Sequence, residues 1–578
     1  MTISLKKLFR SASAQAVNLS SKSGAVWRTV SLFLLCIATA LTTQAQVVTK
    51  LLDFNGINGA DPVYMSLVQG PHGKLYGTTA GGGANGNYGT VFAITPKGRL
   101  TTLYSFCAQP GCADGSVPDA GLLLASDGNF YGTTSGGGAN GDYGTVFKIT
   151  AEGALTTLYS FCAQANCVDG SAPTGTLIQA TDGNLYGTTN MGGANGDYGT
   201  VFRITRSGRL RTLYSFCGNP NCADGSNPVA GLVQATDGHF YGTTLGGGTR
   251  HSRDGTTFKI TAGGSLTTLH SFGWDDGAQP YGGLVQASDG YFYGTTAFGG
   301  KQYCDTGCGS IFRMSPGGTV TTLYSFGHGF GGGNDTTPRD TLVQATDGNF
   351  YCTLSDGEAY GGLFRISPSG DIDYLYGFEG FDGAYSDAQL LQATNGIFYG
   401  AASGGGKSND GTLFTLSVGL GPFVSFVGNP AKAGDTFEIL GQGLTGTSSV
   451  SFNGTPATFT VKSDNWLTAA VPDGGTTGPV TVTTPSGTLA SNQSFRVLPQ
   501  LLSFDPPSGQ VGTPVTITGI SLTQTFMVGF GDHVAAQFTV DSDGQVTAIV
   551  PEGANTGKIG IRTPGGIAFS SSTFSVAP

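Results

Sequence analysis

Short apolar runs alternate with glycine-containing turns over most of the chain. In residues 121–161, four such runs follow one another: GLLLA, NFYGTT, GTVFKIT and LTTLYSF. Each run is rich in Thr, Val, Tyr and Phe and is too short for a typical helix, so each predicts a β-strand. The SDG turn joins the first run to the second, and the AEG turn joins the third run to the fourth. Both turns are typical of hairpins. The pattern therefore predicts units of four antiparallel strands.

This unit recurs along the chain. The tetrapeptide YGTT and its altered copies YCTL and YGAA begin at Tyr76, Tyr131, Tyr186, Tyr241, Tyr293, Tyr351 and Tyr399. Four strands per period and seven periods predict an all-β, seven-bladed β-propeller. A β-solenoid is the alternative, but its coils are usually shorter than a period of about 55 residues.

The two ends of the repeat region complement each other. The run VVTKLLDF at residues 47–54 matches the fourth strand of the unit, and the last copy leaves the pattern after its third strand. We therefore expect the N-terminal strand to complete the seventh blade and close the ring, which leaves only short, protected edges.

The glycine run GGGANGDYG at residues 136–144 joins the second and third strands of a unit. A phosphate-binding loop would lead into a helix and end in GK[ST], and neither feature is present. The nonapeptide calcium repeat has another residue order and a much shorter period. We expect a tight loop that needs positive φ and holds no cofactor, with calcium as the alternative.

Strand alternation gives the ring two unequal faces. The short turns share one face, while the glycine loops and the connections between blades share the other, which we call the long-loop face. Function concentrates in loops on a rigid scaffold, so we expect ligand on the long-loop face. The repeated turn aspartates are expected to be structural; they are Asp127, Asp182, Asp237, Asp289 and Asp347.

Two groups of residues on the long-loop face are candidates for ligand binding. The tyrosines of the glycine loops either contact a sugar or protein surface or pack between blades. The other group consists of polar residues that interrupt the fourth and fifth glycine loops. Together the candidates are Tyr88, Tyr143, Tyr198, Arg250, His251, Arg253, Asp254, Lys301 and Asp305.

Residues 420–498 and 499–578 resemble each other. VSFNGTPATF and VPDGGTTGPVTVTTPSG in the first segment correspond to VGFGDHVAAQF and VPEGANTGKIGIRTPGG in the second. Alternating short strands at this spacing predict two β-sandwiches. The motifs resemble those of IPT/TIG immunoglobulin-like domains, and the resemblance covers both segments.

The repeat of residues 46–419 resembles the GloVer-type tandem repeat of exported bacterial proteins called choice-of-anchor proteins. The resemblance implies export and a surface or extracellular location, and it supplies no ligand or activity. Residues 1–45 are expected to be a signal peptide: Lys6, Lys7 and Arg10 precede an apolar run, and Ala45 ends a small-residue cleavage motif. The apolar run of residues 29–41 is shorter than the roughly 20 residues of a membrane span. We expect no span in the mature chain.

The cysteines occur in pairs. Three pairs have C-x4-C spacing in the same connection between blades, and a fourth has C-x3-C spacing in the fifth glycine loop. They are Cys107/Cys112, Cys162/Cys167, Cys217/Cys222 and Cys304/Cys308. In an exported protein such pairs predict disulfides, whereas zinc would need four ligands around one ion. Cys352 replaces the glycine of YGTT and is expected to be a buried thiol.

The net charge of −10, with 11% charged residues and no basic patch, argues against a nucleic-acid partner. These features together predict a noncatalytic extracellular or cell-surface binding or adhesion protein whose partner is a glycan or a protein. Two alternatives stay open. One is a structural surface component, and the other is a carbohydrate-active lyase or glycosidase, which would need paired carboxylates or a His/Tyr/Arg cluster in one pocket.

Overall fold

A computed structural model describes residues 46–250, 253–300, 308–327, 337–355, 360–531, 534–535 and 537–578. The residues from Val47 to Pro578 form one compact unit. Among the described residues, helix is confined to single 3-10 turns, at Pro71–Gly73, Pro110–Cys112, Ala165–Cys167 and Pro220–Cys222. The all-β prediction is confirmed for the described residues. The segment predicted to be a signal peptide lies outside them.

The repeat region, from Val47 to Ser417, contains seven four-stranded antiparallel sheets. The first strands of the sheets are β2 (Val68–Gln69), β6 (Leu123–Leu124), β10 (Ile178–Gln179), β14 (Val233–Gln234), β18 (Val285–Gln286), β22 (Val343–Gln344) and β26 (Leu391–Gln392). The second strands are β3 (Leu75–Thr79), β7 (Phe130–Thr134), β11 (Leu185–Thr189), β15 (Phe240–Thr244), β19 (Phe292–Thr296), β23 (Phe350–Leu354) and β27 (Phe398–Ala402). The third strands are β4 (Thr90–Ile94), β8 (Thr145–Ile149), β12 (Thr200–Ile204), β16 (Thr256–Ile260), β20 (Ser310–Met314), β24 (Gly362–Ile366) and β28 (Thr412–Ser417). The fourth strands are β5 (Leu100–Ser105), β9 (Leu155–Ser160), β13 (Leu210–Ser215), β17 (Leu266–Ser271), β21 (Val320–Ser325), β25 (Ile372–Gly377) and, for the seventh sheet, β1 (Val47–Asp53).

The middle strands of each sheet carry its packing. Gly132 of YGTT in β7 lies opposite Phe147 of β8, and a Cβ at Gly132 would come within 2.5 Å of the phenyl ring. This close approach explains why the motif needs glycine. In the sixth sheet Cys352 takes this place opposite Phe364; it is buried and forms no disulfide, as predicted.

The seventh sheet is completed by the N-terminal strand. β1 pairs antiparallel with β28, and Val47 lies opposite Ser417. The prediction that residues 47–54 supply this strand is confirmed. The pairing covers the edge of β28 that would otherwise be exposed.

Glutamine side chains join neighbouring sheets. The side-chain oxygen of Gln179 in β10 accepts a hydrogen bond from the backbone N–H of Ser126, in the turn of the preceding sheet, at 2.9 Å. Four further pairs repeat this contact along the chain: Thr181–Gln234, Thr236–Gln286, Ser288–Gln344 and Thr346–Gln392. Thr394 and Gln69 then join the seventh sheet to the first. The second sheet has Leu124 at this position. The glutamine contacts therefore run from the second sheet through the seventh to the first, and only the step from the first sheet to the second lacks one.

The C-terminal third contains two pairs of sheets, and each pair encloses its own apolar core. The first pair comprises β29 (Ser425–Val427), β30 (Thr436–Leu440), β31 (Ser449–Phe452), β32 (Thr455–Ala457), β33 (Phe459–Ser463), β34 (Trp466–Ala470), β35 (Val480–Thr484) and β36 (Gly487–Ala490), in the orders β29-β30-β34-β33 and β32-β31-β35-β36. The second comprises β37 (Gln500–Asp505), β38 (Ser508–Gly509), β39 (Pro514–Ile520), β40 (Met527–Phe530), β41 (Val534–Ala535), β42 (Phe538–Ser542), β43 (Gln545–Ile549), β44 (Gly557–Thr563) and β45 (Gly566–Val576), in the orders β37-β39-β43-β42 and β38-β45-β44-β40-β41.

The short turns of the repeat region contact the C-terminal third. The ring of Trp466 lies 5.5 Å from that of His72, in the turn of the first sheet. Val427 and Leu440 join the apolar cluster that contains Tyr76 and Phe130. The turn of the seventh sheet is also in contact, because Gln442 donates a hydrogen bond to the Thr394 hydroxyl at 3.2 Å. Part of the short-turn face is thus covered by protein.

Candidate functional site: an axial cavity and the long-loop face

A cavity of about 320 Å³ lies where the connections between sheets reach the first strands. Six repeats each place one residue in its wall at a single equivalent position: Tyr64, Asp119, Thr174, Val229, Tyr281 and Arg339. Asp387 holds this position in the seventh repeat, where Gln389 lines the wall instead. Because residues from all seven repeats converge on it, we call this space the axial cavity.

The wall of the axial cavity differs from repeat to repeat, whereas its support does not. Three residues after each of these positions comes a buried leucine, at Leu67, Leu122, Leu177, Leu232, Leu284, Leu342 and Leu390. The constant leucine packs into the sheets, and the variable residue reaches the cavity. Sequence analysis missed the cavity residues, although comparing the repeats at the residue three positions before the constant leucine would have singled them out.

The charged groups of the axial cavity have unusual environments. The Ser135 hydroxyl donates a hydrogen bond of 2.7 Å to Oδ2 of Asp119. Burial, with a smaller contribution from Asp61, raises the pKa of Asp119 to about 6, although the hydrogen bond from Ser135 acts in the opposite direction. The guanidinium of Arg339 lies over the ring of Tyr281, 5.5 Å from its centroid. A cation and a carboxyl group therefore share one wall.

Two further carboxyl groups lie beside the cavity. Asp340 lines it and is buried, and the Thr353 hydroxyl donates to its carboxyl group. Burial and the charge of Asp387 raise the pKa of Asp340 well above its usual range. Burial, followed by the charge of Asp387, also raises the pKa of Tyr64 to about 12. The tyrosine hydroxyl thus stays protonated at neutral pH and can donate a hydrogen bond.

Around the axial cavity, the long-loop face exposes large apolar side chains. Ten of these side chains belong to glycine loops or to connections between sheets: Ile57, Tyr64, Tyr88, Tyr143, Met191, Tyr198, Trp274, Tyr360, Phe381 and Tyr385. Elsewhere in the described repeat region only Val47 and Tyr291 are similarly exposed. Isolated exposed apolar residues are ordinary, but their concentration on one face indicates an interaction surface.

The three tyrosines proposed from the sequence occupy equivalent places on this face. Tyr88, Tyr143 and Tyr198 are 41%, 40% and 39% exposed. Each ring lies against a glycine of its own loop: a Cβ at Gly86 would come 3.1 Å from Tyr88, and one at Gly141 would come 3.0 Å from Tyr143. The rings are therefore held at the surface and lie outside the apolar cores of the sheets.

The glycine loops are fixed by side chains within the repeat. In the second sheet, Asn140 donates to the backbone oxygens of Ser160 and Phe161 at 2.9 and 3.1 Å. The carboxylate of Asp142 accepts from the N–H of Gly137 at 2.6 Å, and Asn87 makes the same contact with Gly82 in the first sheet. An amide replaces the carboxylate without loss of this contact, so the aspartate acts as a loop cap. Among the described residues, no group of three or more His, Cys, Asp or Glu side chains could hold a metal ion.

Three of the predicted disulfides are confirmed: Cys107–Cys112, Cys162–Cys167 and Cys217–Cys222. Cys308 is disulfide-bonded, and Cys304 lies outside the described residues. Each confirmed disulfide closes a connection that is also organised by a buried aspartate, which sequence analysis did not identify. Asp114 accepts hydrogen bonds from the Tyr104 hydroxyl at 2.8 Å and from the N–H groups of Ala108 and Gln109 at 3.0 Å.

The polar candidates of the fourth glycine loop do not line the axial cavity. Arg250 forms an ion pair of 3.1 Å with Asp276 in the following connection. Arg253 is exposed, while Asp254 is only 7% exposed. His251, Lys301 and Asp305 lie outside the described residues.

The turn aspartates have the structural role that we expected. Asp127 accepts hydrogen bonds from the Tyr131 hydroxyl at 2.8 Å and from the Asn129 N–H at 3.2 Å. The hydroxyl contact recurs at Asp182, Asp237, Asp289 and Asp347. In the seventh sheet Asn395 donates to the Tyr399 hydroxyl instead. These contacts fix the turn to the second strand.

The family model of the Gloeobacter/Verrucomicrobia repeat matches residues 109–273 and 251–483. The two matches together span more than half of the chain. The chain belongs to this repeat family. Membership in the Gloeobacter/Verrucomicrobia repeat family confirms the resemblance of the 55-residue unit to the GloVer-type repeat. No curated protein sequence matches the chain significantly.

Several solved structures resemble this chain at low sequence identity. A fungal alcohol oxidase of the AA5 family, in complex with copper, is 14% identical, with coverage of 78% of this chain and 98% of the oxidase and a TM-score of 0.42. PorZ, a surface component of the type-IX secretion system of Porphyromonas gingivalis, is 15% identical, with coverage of 77% and 61% and a TM-score of 0.40. A surface glycan-binding protein from Prevotella bryantii is 18% identical, with coverage of 27% and 39% and a TM-score of 0.21. Similarity at these TM-scores carries no argument about function.

In the part of the chain that the structure describes, no helix combines the length and the apolar character needed to cross a bilayer.

Proposed function

We propose that this repeat protein is an exported, noncatalytic binding protein whose ligand is a glycan held on the long-loop face. The distribution of exposed apolar side chains carries the proposal, because ten of the twelve in the described repeat region lie on that face. Aromatic rings such as Tyr88, Tyr143 and Tyr198 present flat apolar surfaces that suit the faces of sugar rings.

The opposite face supports this choice. Trp466 and Leu440 cover turns of the repeat region, so part of the short-turn face is already in contact with protein. The long-loop face also carries the loops that differ most between repeats, for example GGGANGNY and GGGTRHSRD. Variable loops on a constant scaffold are the usual source of specificity.

In this proposal the seven sheets are blades of a closed propeller over residues 46–419. The pairing of β1 with β28 and the hydrogen bonds that join Gln69 of the first sheet to Thr394 of the seventh support it. Residues 420–498 and 499–578 are taken as two immunoglobulin-like sandwiches of the IPT/TIG type, which two separate apolar cores support. They serve as a base that holds the short-turn face.

Export is part of the same proposal. Residues 1–45 serve as the signal peptide, and the three disulfides of the connections suit an oxidising compartment. A glycan is preferred to a protein partner because the chain has only 11% charged residues, and hydroxyl, amide and aromatic groups dominate the exposed loops. Neutral polysaccharides are bound by such groups and do not need the electrostatic field of many charged side chains.

The test compares the mature chain, residues 46–578, with a triple variant, Tyr88→Ala, Tyr143→Ala and Tyr198→Ala, on an array of bacterial and plant glycans. We expect the wild-type protein to bind at least one glycan class and the triple variant to bind it at least about tenfold more weakly. Tyr291→Ala is the matched control, because Tyr291 is exposed to a similar extent, 38%, in a short turn. Loss of binding in the control alone, or no glycan binding by the wild-type protein, contradicts the proposal.

A further inference from the structure

We propose that the axial cavity is a second binding site, separate from the exposed tyrosines, which takes a single hydroxyl-rich unit the size of one sugar. We take this unit to be the end of a glycan that is bound on the long-loop face, and this assignment rests on the proposed function. The existence of the site does not.

The size of the cavity limits what can enter. Its volume of about 320 Å³ lies at the lower end of the roughly 300–1,000 Å³ typical of small-molecule sites. One sugar unit fits such a space, whereas a folded segment or several consecutive units do not. The wall is formed by residues next to the first strands, so the occupant enters from the long-loop face, where those connections lie.

The chemistry of the wall favours an occupant with polar groups over a purely apolar one. Among the side chains that line the cavity, Val229, Ala230 and Leu245 are aliphatic, while hydroxyl, amide, carboxyl and guanidinium groups make up most of the rest. An apolar molecule would remove water from these groups and offer no hydrogen bonds in return, which costs several kcal/mol.

The charges of the wall disfavour an ionic occupant. An anion would face the carboxyl group of Asp119, and a cation would face the guanidinium of Arg339. A neutral polyhydroxylated molecule avoids both conflicts, because each hydroxyl can donate to a carboxylate and accept from a guanidinium. The mixed wall therefore selects for hydroxyl groups.

Asp119 is prepared for such a contact. Its Oδ2 accepts the hydrogen bond from Ser135, and within the described residues its Oδ1 accepts none. On another part of the wall, Tyr64 is 41% exposed and offers a ring face for an apolar patch of a sugar. An acceptor, a donor and an aromatic ring around one small space give the contacts that orient a sugar.

The irregularity of the wall points the same way. A purely structural position in a repeat has no need for five residue types, and the neighbouring leucines are indeed constant. At the cavity position the six repeats that reach the wall supply Tyr, Asp, Thr, Val, Tyr and Arg. This gives an asymmetric wall, which a single asymmetric ligand requires.

The test is calorimetric titration of the mature chain with glucose, galactose, xylose, mannose and N-acetylglucosamine, each up to about 20 mM, since lone sugars bind weakly. We expect one of these to bind with a stoichiometry of one. Val229→Trp fills the cavity and should abolish this binding, and Asp119→Asn should weaken it at least about tenfold. The triple tyrosine variant should retain it, because those rings lie outside the cavity.

Asp275→Asn is the matched control for Asp119→Asn. Asp275 is exposed on a connection of the same face, and its substitution removes the same charge. Thermal unfolding checks that each variant is folded. Binding of a monosaccharide that survives Val229→Trp in a folded protein, or no binding of any of the five sugars, overturns the inference. If glycan binding on the array depends on the tyrosines and no monosaccharide binds in the cavity, the proposed function stands and the cavity site is wrong. If a monosaccharide binds in the cavity and the array shows no glycan binding, the cavity site stands and the proposed function is wrong.

Discussion

Gln69 and Thr394 join the two ends of the repeat region through a pair of hydrogen bonds. The side-chain amide of Gln69 donates to the Thr394 hydroxyl at 2.9 Å, and its oxygen accepts from the Thr394 N–H at 2.9 Å. Both residues are buried. The same hydroxyl accepts from Gln442 of the C-terminal third. One buried threonine thus connects the first sheet, the seventh sheet and the C-terminal third.

Gln69→Leu is expected to lower the free energy of unfolding by about 1–3 kcal/mol, because it leaves the buried Thr394 N–H without its acceptor. Leucine fits the backbone here, since Leu124 holds the equivalent position in the second sheet. Urea unfolding measures the loss. Gln286→Leu is the control: Thr236, its partner, lies at an exposed turn, so the loss should be smaller. Equal losses would show that closure adds nothing to this contact.

Removal of residues 46–53 is expected to destabilise the seventh sheet and to promote self-association. The deletion exposes the edge of β28, which β1 covers from Val47 to Asp53, and retains the buried Phe54. An uncovered edge is a template for pairing with another chain. Light scattering and thermal unfolding measure the two effects. A monomeric protein with an unchanged melting temperature would contradict the role of β1.

The repeat region could be predicted well from the sequence because its local signals agree with its long-range contacts. The period of the repeat predicts the four strands of each sheet. The run VVTKLLDF, which lies before the first complete unit, predicts the partner of β28. The first strands are shorter than predicted: GLLLA at residues 121–125 contributes only Leu123–Leu124. The residues next to these first strands turn toward the axial cavity and do not continue the antiparallel pairing.

The candidate site was harder to predict. The exposed tyrosines were proposed because they recur, but the axial residues recur only in position and differ in type, so a search for motifs passes over them. Asp119 and Arg339 belong to different repeats and line one cavity only after the sheets have packed together. The contact of Trp466 with His72 joins residues almost four hundred positions apart, and no local pattern indicates it.

Asp114→Ala is expected to destabilise the protein more than the double variant Cys107→Ser and Cys112→Ser. The aspartate is fully buried, and its loss leaves the Tyr104 hydroxyl and two backbone N–H groups without an acceptor, at a cost of about 3 kcal/mol or more. The disulfide closes a very short loop, worth about 2 kcal/mol in the chain-entropy model. Urea unfolding of both variants under oxidising conditions gives the order, and the reverse order would refute this ranking.

Trp466→Ala is expected to loosen the contact between the C-terminal third and the short-turn face. The substitution removes the ring that packs against His72 and the cluster around Tyr76, which should cost about 2 kcal/mol or more. Limited proteolysis should then cleave near residues 418–423, between the two regions. Trp274→Ala is a matched control, because Trp274 is 49% exposed on the long-loop face and its loss should leave stability unchanged. Identical protease resistance of the Trp466 variant and the wild type would contradict the contact.

The carboxyl group of Asp119 should make the stability of the protein depend on pH. Its pKa is raised from 3.8 to about 6 in the folded state, mainly by burial, so the folded protein holds this proton more tightly than the unfolded chain does. The contribution of this carboxyl group to the free energy of unfolding is fully present below pH 3.8 and is lost as the pH rises through 6. Above pH 6, the folded state contains a partly buried carboxylate that the unfolded chain would hydrate better.

Asp119→Asn removes this dependence and should therefore stabilise the ligand-free protein. At pH 8 the variant is expected to be about 1–3 kcal/mol more stable than the wild type, because a shift of one pKa unit corresponds to about 1.4 kcal/mol. The difference should shrink between pH 6 and 3.8 and vanish below, which urea unfolding at several pH values measures. Asp275→Asn should show no such trend. If Asp119→Asn stabilises the protein and also weakens sugar binding, the carboxylate serves the ligand at a cost in stability. If the variant is less stable than the wild type at pH 8, the hydrogen bond from Ser135 outweighs the cost of burial, and Asp119 has a structural role.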